Sequence, residues 1–256
     1  MPMSARLLRP RSSTVFNPRT ISGLALWLDA SDAAILGPTN SGPGSVTNNG
    51  PVKYWGDKSS SSMNLTNSGA DSVCPTYKTA SQNNRSVLGF DGGDRIFTTS
   101  ASTLNPTTKT AFLVSRRTGG SGEQCLFDRA DSFALTVKAA GGYVFYYSSG
   151  VSGSRTVYNS AFAASNSNSA YSVVVVRQDG TAGSAWIDGV SQTISATQGN
   201  TATNAGSFAV GSIGASSALT FTGDVAELLI YTAALSDSQR QAVQRDLAAK
   251  WGVTIS

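Results

Sequence analysis

Few residues in this 256-residue sequence could perform catalysis, and the missing types exclude several enzyme classes. The chain has no histidine, which excludes Ser-His-Asp and Cys-His nucleophile arrangements and histidine metal sites. Glycoside hydrolysis usually needs two carboxylates flanking the bond, whereas the only glutamates, Glu123 and Glu227, lie far apart in sequence. Asp128 and Asp131 are a conceivable pair, although Asp readily serves in turns. We therefore expect no catalytic residues and predict that the protein is not an enzyme.

An aromatic run at 143–147 is the stretch whose composition best suits ligand binding. On a strand, Tyr143, Phe145 and Tyr147 share one face, because successive side chains point to opposite sides. If that face is exposed, it forms a patch that could stack on a glycan or contact another protein. The alternative, which we favour, is that the fold or an oligomer covers both faces of the strand.

Many short strands separated by glycine-containing turns would carry these residues. Asp188-Gly189 is a two-residue hairpin turn, and Asp91-Gly92-Gly93-Asp94 marks another turn, in which glycine supplies positive φ. This pattern predicts an all-β fold, a sandwich of two antiparallel sheets. The predicted strands have β-branched or aromatic content and cover 87–90, 95–98, 111–116, 125–128, 133–137, 143–147, 171–177, 184–187 and 190–194.

The last part of the sequence predicts one buried strand and one helix. Residues 225–231 have the length and apolar density of a buried strand. Ser236 is a suitable N-cap, and Gln239 three residues later completes a capping box. Gly252 just after Lys250 is a typical end signal. The apolar stripe of the helix consists of Ala242, Val243, Leu247 and Trp251.

The first apolar segment, 21–30, alternates between two faces. The alternation assigns Leu24, Leu26 and Leu28 to the same face of a strand. The polar region 31–49 that follows is predicted to be a loop, and loops on a β-sandwich are where binding groups usually lie.

Three segments share a pattern with one known fold family. They are Ile21-Ser-Gly-Leu-Ala-Leu-Trp-Leu-Asp-Ala30, Leu88-Gly-Phe-Asp-Gly-Gly-Asp94, and Phe221-x-Gly-Asp-x-Ala-Glu-Leu-x-Ile-Tyr231 with its helix to Gly252. The pattern resembles concanavalin A-like domains of the laminin G type over about residues 21–253. The resemblance implies a concanavalin A-like jelly roll with one C-terminal helix. It implies little about activity, because this scaffold carries many unrelated functions.

The same resemblance raises the question of calcium, since laminin G-type domains often hold one ion. Asp91 and Asp94 could supply oxygen ligands, as could Asp29 and Asp32. Neither spacing matches a full calcium loop, and an Asp-Gly-Gly-Asp turn forms without an ion. Calcium at Asp91 and Asp94 is therefore one alternative and a plain turn the other, and we expect no other cofactor.

The net positive charge is confined to the first 20 residues. The formal net charge is +4, and this segment holds four arginines and no acid, so residues 21–256 are neutral overall. Prolines and the lack of a period predict an extended arm at 1–20, followed by one sandwich domain at 21–256. Because apolar side chains accompany the arginines, we predict that the arm docks on a partner; the alternative is a solvated tail. The residues assigned to docking are Arg6, Leu7, Leu8, Arg9, Arg11, Phe16 and Arg19.

Composition favours a virion or extracellular surface. Only 13% of the residues are charged, about half the usual share, so the polar surface should consist mainly of Ser, Thr, Asn and Gly. No apolar run has the length of a signal peptide or a membrane span. Cys74 and Cys125 are expected to be free thiols, since the chain would mature in a reducing cytoplasm.

Two functions compete, and they are not exclusive. The first is a structural virion protein of a bacteriophage, a capsid decoration or a tail or fibre component that docks through its basic arm and exposes the sandwich. Its partners would be other virion proteins and host-surface glycans, in a homo-oligomer or multicopy assembly, with no nucleic-acid reading and no membrane. The absent export signal, the separate charged arm and the frequency of such modules on phages favour it. The alternative is a free-standing carbohydrate-binding, lectin-like module.

Overall fold

The chain folds into two facing antiparallel β-sheets, with an α-helix packed outside the first sheet. This architecture confirms the predicted sandwich and its C-terminal helix. Both cysteines, Cys74 and Cys125, are buried, and they do not form a disulfide. No helix among the described residues is long and apolar enough to cross a membrane. The structure is a computed structural model that describes residues 16–104, 106–129, 133–139, 142–148, 155–162, 170–202 and 207–256.

Apart from four short 3-10 helices, eighteen strands and one α-helix make up the regular structure of the described residues. In chain order they are β1 (Leu24–Asp29), β2 (Leu36–Gly37), β3 (Tyr54–Trp55), β4 (Leu65–Thr66), β5 (Thr76–Gln82), β6 (Arg85–Asp91), β7 (Ile96–Thr98), β8 (Thr108–Arg117), β9 (Gln124–Asp128), β10 (Phe133–Val137), β11 (Tyr143–Ser148), β12 (Arg155–Phe162), β13 (Ser172–Asp179), β14 (Ala182–Ile187), β15 (Val190–Gln192), β16 (Ser195–Ala202), β17 (Phe208–Val210), β18 (Thr222–Tyr231) and α1 (Asp237–Trp251). The first sheet has the order β15-β14-β13-β8-β18-β6-β5, and β1 also pairs with β18. The second sheet has the order β16-β12-β11-β10-β9-β17-β7-β4-β3-β2.

Strand β18 lies inside the first sheet and is buried on both faces. It pairs with β8 along one edge, and with β6 and then β1 along the other. Leu228 and Ile230 enter the core between the sheets. Leu229 and Tyr231 belong to a second core that includes residues of α1, which we call the helix-side core. Because both faces are covered, the strand is apolar along most of its length, as the run at 225–231 predicts.

Helix α1 begins and ends at the residues that the sequence indicates. The side chain of Ser236 accepts a hydrogen bond from the backbone of Gln239, whose side chain bonds back to the backbone of Ser236. Gly252 ends the helix with φ 66°, in the left-handed region where glycine is favoured. The helix packs on the outer face of the first sheet through Val243, Leu247, Ala248 and Trp251.

The hairpin between β14 and β15 turns at Asp188 and Gly189, as predicted. Both residues have positive φ, 49° and 90°, which is the backbone of a type I′ turn. A Cβ atom added at Gly189 would collide with the carbonyl oxygen of Ser256. The last residue of the sequence is therefore in direct contact with this turn.

The predicted alternation in β1 is wrong at the start of the strand. Leu26 and Leu28 lie in the core between the sheets, but Leu24 packs against the helix-side core. The pairing of β1 with β18 shifts register between Leu24 and Leu26. Such an irregularity inserts a residue and exchanges the two faces.

Candidate functional site

Two residues assigned to the docking arm lie against the sandwich itself. Phe16 packs beside the helix-side core, and Arg19 Nε donates to the carbonyl oxygen of Lys58 at 3.1 Å. The hydroxyl of Tyr231 donates to the carbonyl oxygen of Pro18 at 3.0 Å. The structure thus corrects the extent of the arm, because the sandwich already engages Phe16 and Arg19. The other residues assigned to docking lie outside the described residues: Arg6, Leu7, Leu8, Arg9 and Arg11.

The aromatic side chains proposed as a surface patch lie in the core. Tyr143 is 3% exposed, Phe145 0% and Tyr147 1%, and the rings of Phe145 and Tyr147 have centroids 4.8 Å apart. All three belong to the cluster between the sheets. The burial therefore rules out the exposed glycan or interface patch considered at Tyr143, Phe145 and Tyr147, and it agrees with the favoured alternative, a face covered by the fold. The reason is that this face of β11 is turned toward the opposite sheet.

The turn at 91–94 forms and carries the chain from the first sheet to the second. Asp94 Oδ2 accepts from the backbone nitrogen of Asp91 at 2.9 Å, and Asp91 Oδ1 accepts from that of Gly93 at 2.8 Å. Burial, together with the charge of Asp91, raises the pKa of Asp94 to about 7. Among the described residues, no group of three or more His, Cys, Asp or Glu side chains could hold a metal. Calcium at Asp91 and Asp94 stays a prediction.

Asp29 and Glu227 form a carboxylate pair that their sequence separation conceals. They are partners across β1 and β18, and both are buried. Lys250 Nζ lies 2.8 Å from Asp29 Oδ2 and 2.7 Å from Glu227 Oε2. Lys58 Nζ lies 3.0 Å from Asp29 Oδ2 and 2.8 Å from Asp32 Oδ2. The cation between Asp29 and Asp32 is thus an ammonium group of the chain itself.

These buried carboxylates are arranged for stability and not for acid–base work. The indole nitrogens of Trp27 and Trp251 each donate to Glu227 at 2.7 Å. Burial, followed by the charge of Asp29, raises the pKa of Glu227. Burial acts the same way on Asp29, but Lys250 and other partners outweigh it and lower the pKa of Asp29. Both groups are paired and closed to solvent, so a substrate would not reach them.

Glu123 and Asp128 also have structural partners. Glu123 Oε1 accepts from the hydroxyl of Tyr146 at 3.0 Å. Burial, and to a smaller extent the hydrogen bond and charge of Glu123, raises the pKa of Tyr146 to about 12. Asp128 is fully buried and accepts from the backbone nitrogen of Gly214 at 2.8 Å. Asp131 lies outside the described residues. Asp128 therefore holds a neighbouring turn.

A cavity lined almost entirely by hydroxyl and amide side chains opens between two loops. Its volume is about 290 Å³, and we call it the hydroxyl-lined cavity. One wall contains Ser61, Ser62, Met63 and Asn64, and the other contains hydroxyl residues within 98–103. No charged side chain of the described chain lines it. A wider cavity of about 550 Å³ beside residues 33–34 and 43–46 offers one side-chain hydroxyl only.

Asp57 fixes the first wall of this cavity. Its Oδ1 accepts from the backbone nitrogens of Trp27 at 2.9 Å and Ser59 at 2.8 Å. Its Oδ2 accepts from the hydroxyl of Ser59 at 2.7 Å and the backbone nitrogen of Met63 at 2.9 Å. The backbone nitrogen of Asp57 donates to Asn64 Oδ1 at 2.9 Å. The loop is therefore tied to β1 without a ligand, so little ordering remains for binding.

Polar groups in the lining remain available to a ligand. Asn64 uses its oxygen within the loop, and its Nδ2 makes no hydrogen bond to a described residue. The hydroxyl of Thr103 donates only to the sulfur of Met63, at 3.8 Å, and a thioether is a weak acceptor. The backbone of Ser62 has φ 53°, a left-handed conformation that residues other than glycine rarely adopt. Such a lining suits an uncharged ligand with many hydroxyl groups, which both donate and accept.

Sequence reasoning missed this cavity. Its local signal is an aspartate, Asp57, followed by four consecutive serines at 59–62, and this is also typical of an ordinary polar loop. The second wall lies more than thirty residues further along the chain. The walls meet because β4 pairs with β7, through Thr66 and Phe97. The pairing of such short strands is not visible in the sequence.

Comparison with known sequences gives one match. A family model, Laminin_G_3, described as the concanavalin A-like lectin/glucanases superfamily, matches residues 76–239. No sequence among the curated proteins matches the chain.

Solved structures share the fold at low sequence identity. The binding domain of Paraclostridial Mosquitocidal Protein 1 has a TM-score of 0.60 and 10% identity, over 88% of this chain and 52% of that one. Domain 4 of AbnA, a GH43 extracellular arabinanase from Geobacillus stearothermophilus, in complex with arabinotriose, has a TM-score of 0.53 and 14% identity, over 86% and 98%. Trypanosoma rangeli sialidase in complex with sialic acid has a TM-score of 0.52 and 14% identity, over 92% and 34%. At these identities the likeness concerns the fold alone.

Proposed function

The chain belongs to the concanavalin A-like lectin/glucanases superfamily, and on this premise we propose that it is a non-catalytic module that binds a neutral glycan in the hydroxyl-lined cavity. The observation that carries the proposal is the lining, in which hydroxyl and amide groups surround about 290 Å³ without a charged side chain of the described chain. A sugar ring presents hydroxyls that donate and accept, and these groups complement them. Met63 adds an apolar contact for the ring carbons.

A solved domain of the same fold supports glycans as the ligand class. Domain 4 of the Geobacillus arabinanase, 98% of which aligns with this chain, is in complex with arabinotriose. That domain is one part of a larger enzyme, and glycan binding without catalysis is the role that we propose for this chain. Arabinotriose is therefore the first probe for this chain.

Burial of the carboxylates supports a non-catalytic role. Glycosidases need one carboxyl group that protonates the leaving oxygen and a second that acts at the sugar ring. The closest match in the described chain, Asp29 with Glu227, is buried and bound by Lys250. A hydrolytic role would have to use other groups.

The test follows the methyl group of Met63, which is the one methionine within the described residues. The full-length protein is labelled with ¹³C-methyl methionine and titrated with arabinotriose and with neutral oligosaccharides selected on a glycan array. Binding should shift the Met63 signal. Asn64→Ala and Thr103→Val should each weaken binding about 2- to 10-fold, because each removes one hydrogen-bonding group.

Thr181→Val is the matched control, since Thr181 is exposed in the turn between β13 and β14. It should leave the affinity unchanged. Glycan binding that does not shift the Met63 signal would show that the binding site is not the hydroxyl-lined cavity. An equal loss of affinity in Thr103→Val and Thr181→Val would show the same. No binding of any neutral glycan would refute the proposed function.

We further propose that residues 1–15 attach the module to a virus particle, with other virion proteins as partners. The supporting observation is charge: Arg6, Arg9 and Arg11 lie in this segment without an acid, and salt-sensitive pairing with carboxylates is the chemistry that they offer. Multicopy display on a virion would strengthen weak glycan binding by avidity. The alternative is a free-standing lectin-like module, for which the segment would have no partner.

A further inference from the structure

A second cavity, beside helix α1, differs from the hydroxyl-lined cavity in its charge. Its volume is about 340 Å³, and we call it the arginine cavity. Side chains three or four residues apart lie on the same side of a helix, so that Arg240 with Gln244 and Gln241 with Arg245 reach one cavity. Its lining consists of Arg240, Gln241, Gln244 and Arg245 from α1, with Gly189 and residues 255–256.

Two buried side chains of this cavity leave one donor unpaired. Arg240 is 4% exposed, and its guanidinium carbon lies 4.2 Å from the ring centre of Trp186. Its Nη1 donates to Gln244 Oε1 at 2.8 Å. Because this bond occupies the oxygen of Gln244, the amide nitrogen Nε2 is the atom that is left, and it has no acceptor in the described chain. An unpaired buried donor destabilises the folded protein, and an acceptor from a ligand would remove that cost.

The cavity also has more positive than negative charge. Arg240 and Arg177 share one carboxylate, that of Asp237, at 3.5 Å and 3.1 Å. Burial lowers the pKa of Arg240, and Asp237 offsets this only in part. Arg245 is exposed and makes no hydrogen bond or ion pair with a described residue. Neither Arg240 nor Arg245 forms an ion pair with the carboxyl group of Ser256 in the described structure.

We propose that the arginine cavity binds a carboxylate-bearing sugar through Arg240, Arg245 and the free amide nitrogen of Gln244. A carboxylate accepts strong, charge-assisted hydrogen bonds from guanidinium groups, and it supplies the acceptor that Gln244 lacks. The volume of about 340 Å³ exceeds what an inorganic anion fills and suits a ligand with a body. That this body is a sugar rests on the proposed function, whereas the carboxylate follows from the cavity alone.

The experiment uses Trp186 as a reporter, because its ring lies against Arg240. The full-length protein is labelled with 5-fluorotryptophan, and Trp186→Phe assigns the ¹⁹F signal of Trp186. Glucuronate, glucose and inorganic phosphate are the probes. Glucuronate should shift the Trp186 signal and glucose should not. Arg245→Gln and Gln244→Met should each weaken glucuronate binding about tenfold or more, since each removes a hydrogen bond to a charged group.

Lys138→Gln is the control for net charge. Lys138 is exposed, and its substitution removes one positive charge, as Arg245→Gln does, but away from the arginine cavity. Equal weakening by Arg245→Gln and Lys138→Gln would overturn the site, as would the absence of glucuronate binding. Binding of phosphate without glucuronate would overturn the ligand class. Suppose that glucuronate binding depends on Arg245 while neutral glycans do not shift the Met63 signal. This result would support the arginine cavity and refute the neutral-glycan site, so failure of one proposal is distinguishable from failure of the other.

Discussion

Replacing Asp94 by Asn should stabilise the protein at neutral and alkaline pH. Asp94 is 2% exposed, and burial, together with the charge of Asp91, raises its pKa from the ordinary 3.8 to about 7, against the opposing effect of Lys78. In the unfolded chain the carboxyl group loses its proton near pH 4, and in the folded chain near pH 7. The folded state binds one more proton between these values, so the free energy of unfolding falls as the pH rises through this window.

The size of the effect follows from the two pKa values. The interval between 3.8 and about 7 corresponds to about 4 kcal/mol, at about 1.4 kcal/mol for each pKa unit. The stabilisation is present below about pH 4 and lost above about pH 7. Asparagine keeps the shape and an oxygen that can accept from the backbone of Asp91, but it has no charge to lose. The free energy of unfolding of Asp94→Asn minus that of the wild type should therefore rise by about 4 kcal/mol from pH 4 to pH 8.

Urea unfolding followed by tryptophan fluorescence across this pH range measures that difference, in which all other titrating groups cancel. Asp91→Asn is the control. It removes a charge that raises the pKa of Asp94, so it should lower that pKa and narrow the pH range over which the difference rises. A difference that stays constant within about 1 kcal/mol would refute the reasoning. Repeating the series with millimolar calcium also tests the ion site, because a bound ion would preserve wild-type stability above pH 7. If calcium does not change the free energy of unfolding of the wild type, there is no calcium site at Asp91 and Asp94.

Lys250→Met should destabilise the protein by about 3–5 kcal/mol, because Asp29 and Glu227 would lose the ammonium group that they share. Urea unfolding measures this, and a loss below about 1 kcal/mol would show that the pair does not need Lys250. Deleting residues 1–15 should abolish salt-sensitive co-sedimentation with virus particles at an unchanged melting temperature, because the contacts of Pro18 with the sandwich remain. Full attachment of the deletion variant would contradict the docking role of the segment.

Features that depend on neighbouring residues were predictable from the sequence. The capping box at Ser236 and Gln239 and the glycine end of α1 are specified within a single turn of chain. The hairpin at Asp188 and Gly189 is specified by two residues with positive φ. The fold class followed from many such local signals and from the resemblance of three segments.

Features that depend on distant pairing were not predictable. Alternation at 143–147 identifies two faces of a strand, but it does not tell which face meets the other sheet. The partners Asp29 and Glu227 are joined across two strands from opposite ends of the sandwich domain. The shift after Leu24 is invisible because every residue around it is apolar or small. The hydroxyl-lined cavity likewise depends on the pairing of two very short strands.

The position of β18 in the first sheet governs when the protein can fold during its synthesis. β1, β6 and β8 all pair with β18, yet residues 222–231 leave the ribosome after all three. Until then β1 has no partner among the described strands, and β6 and β8 each have one open edge. Open edges are templates for aggregation, and nascent chains with unfinished sheets depend on chaperones. Translation that stalls before residue 222 therefore releases a chain that cannot close its first sheet and that keeps the open edges of β6 and β8.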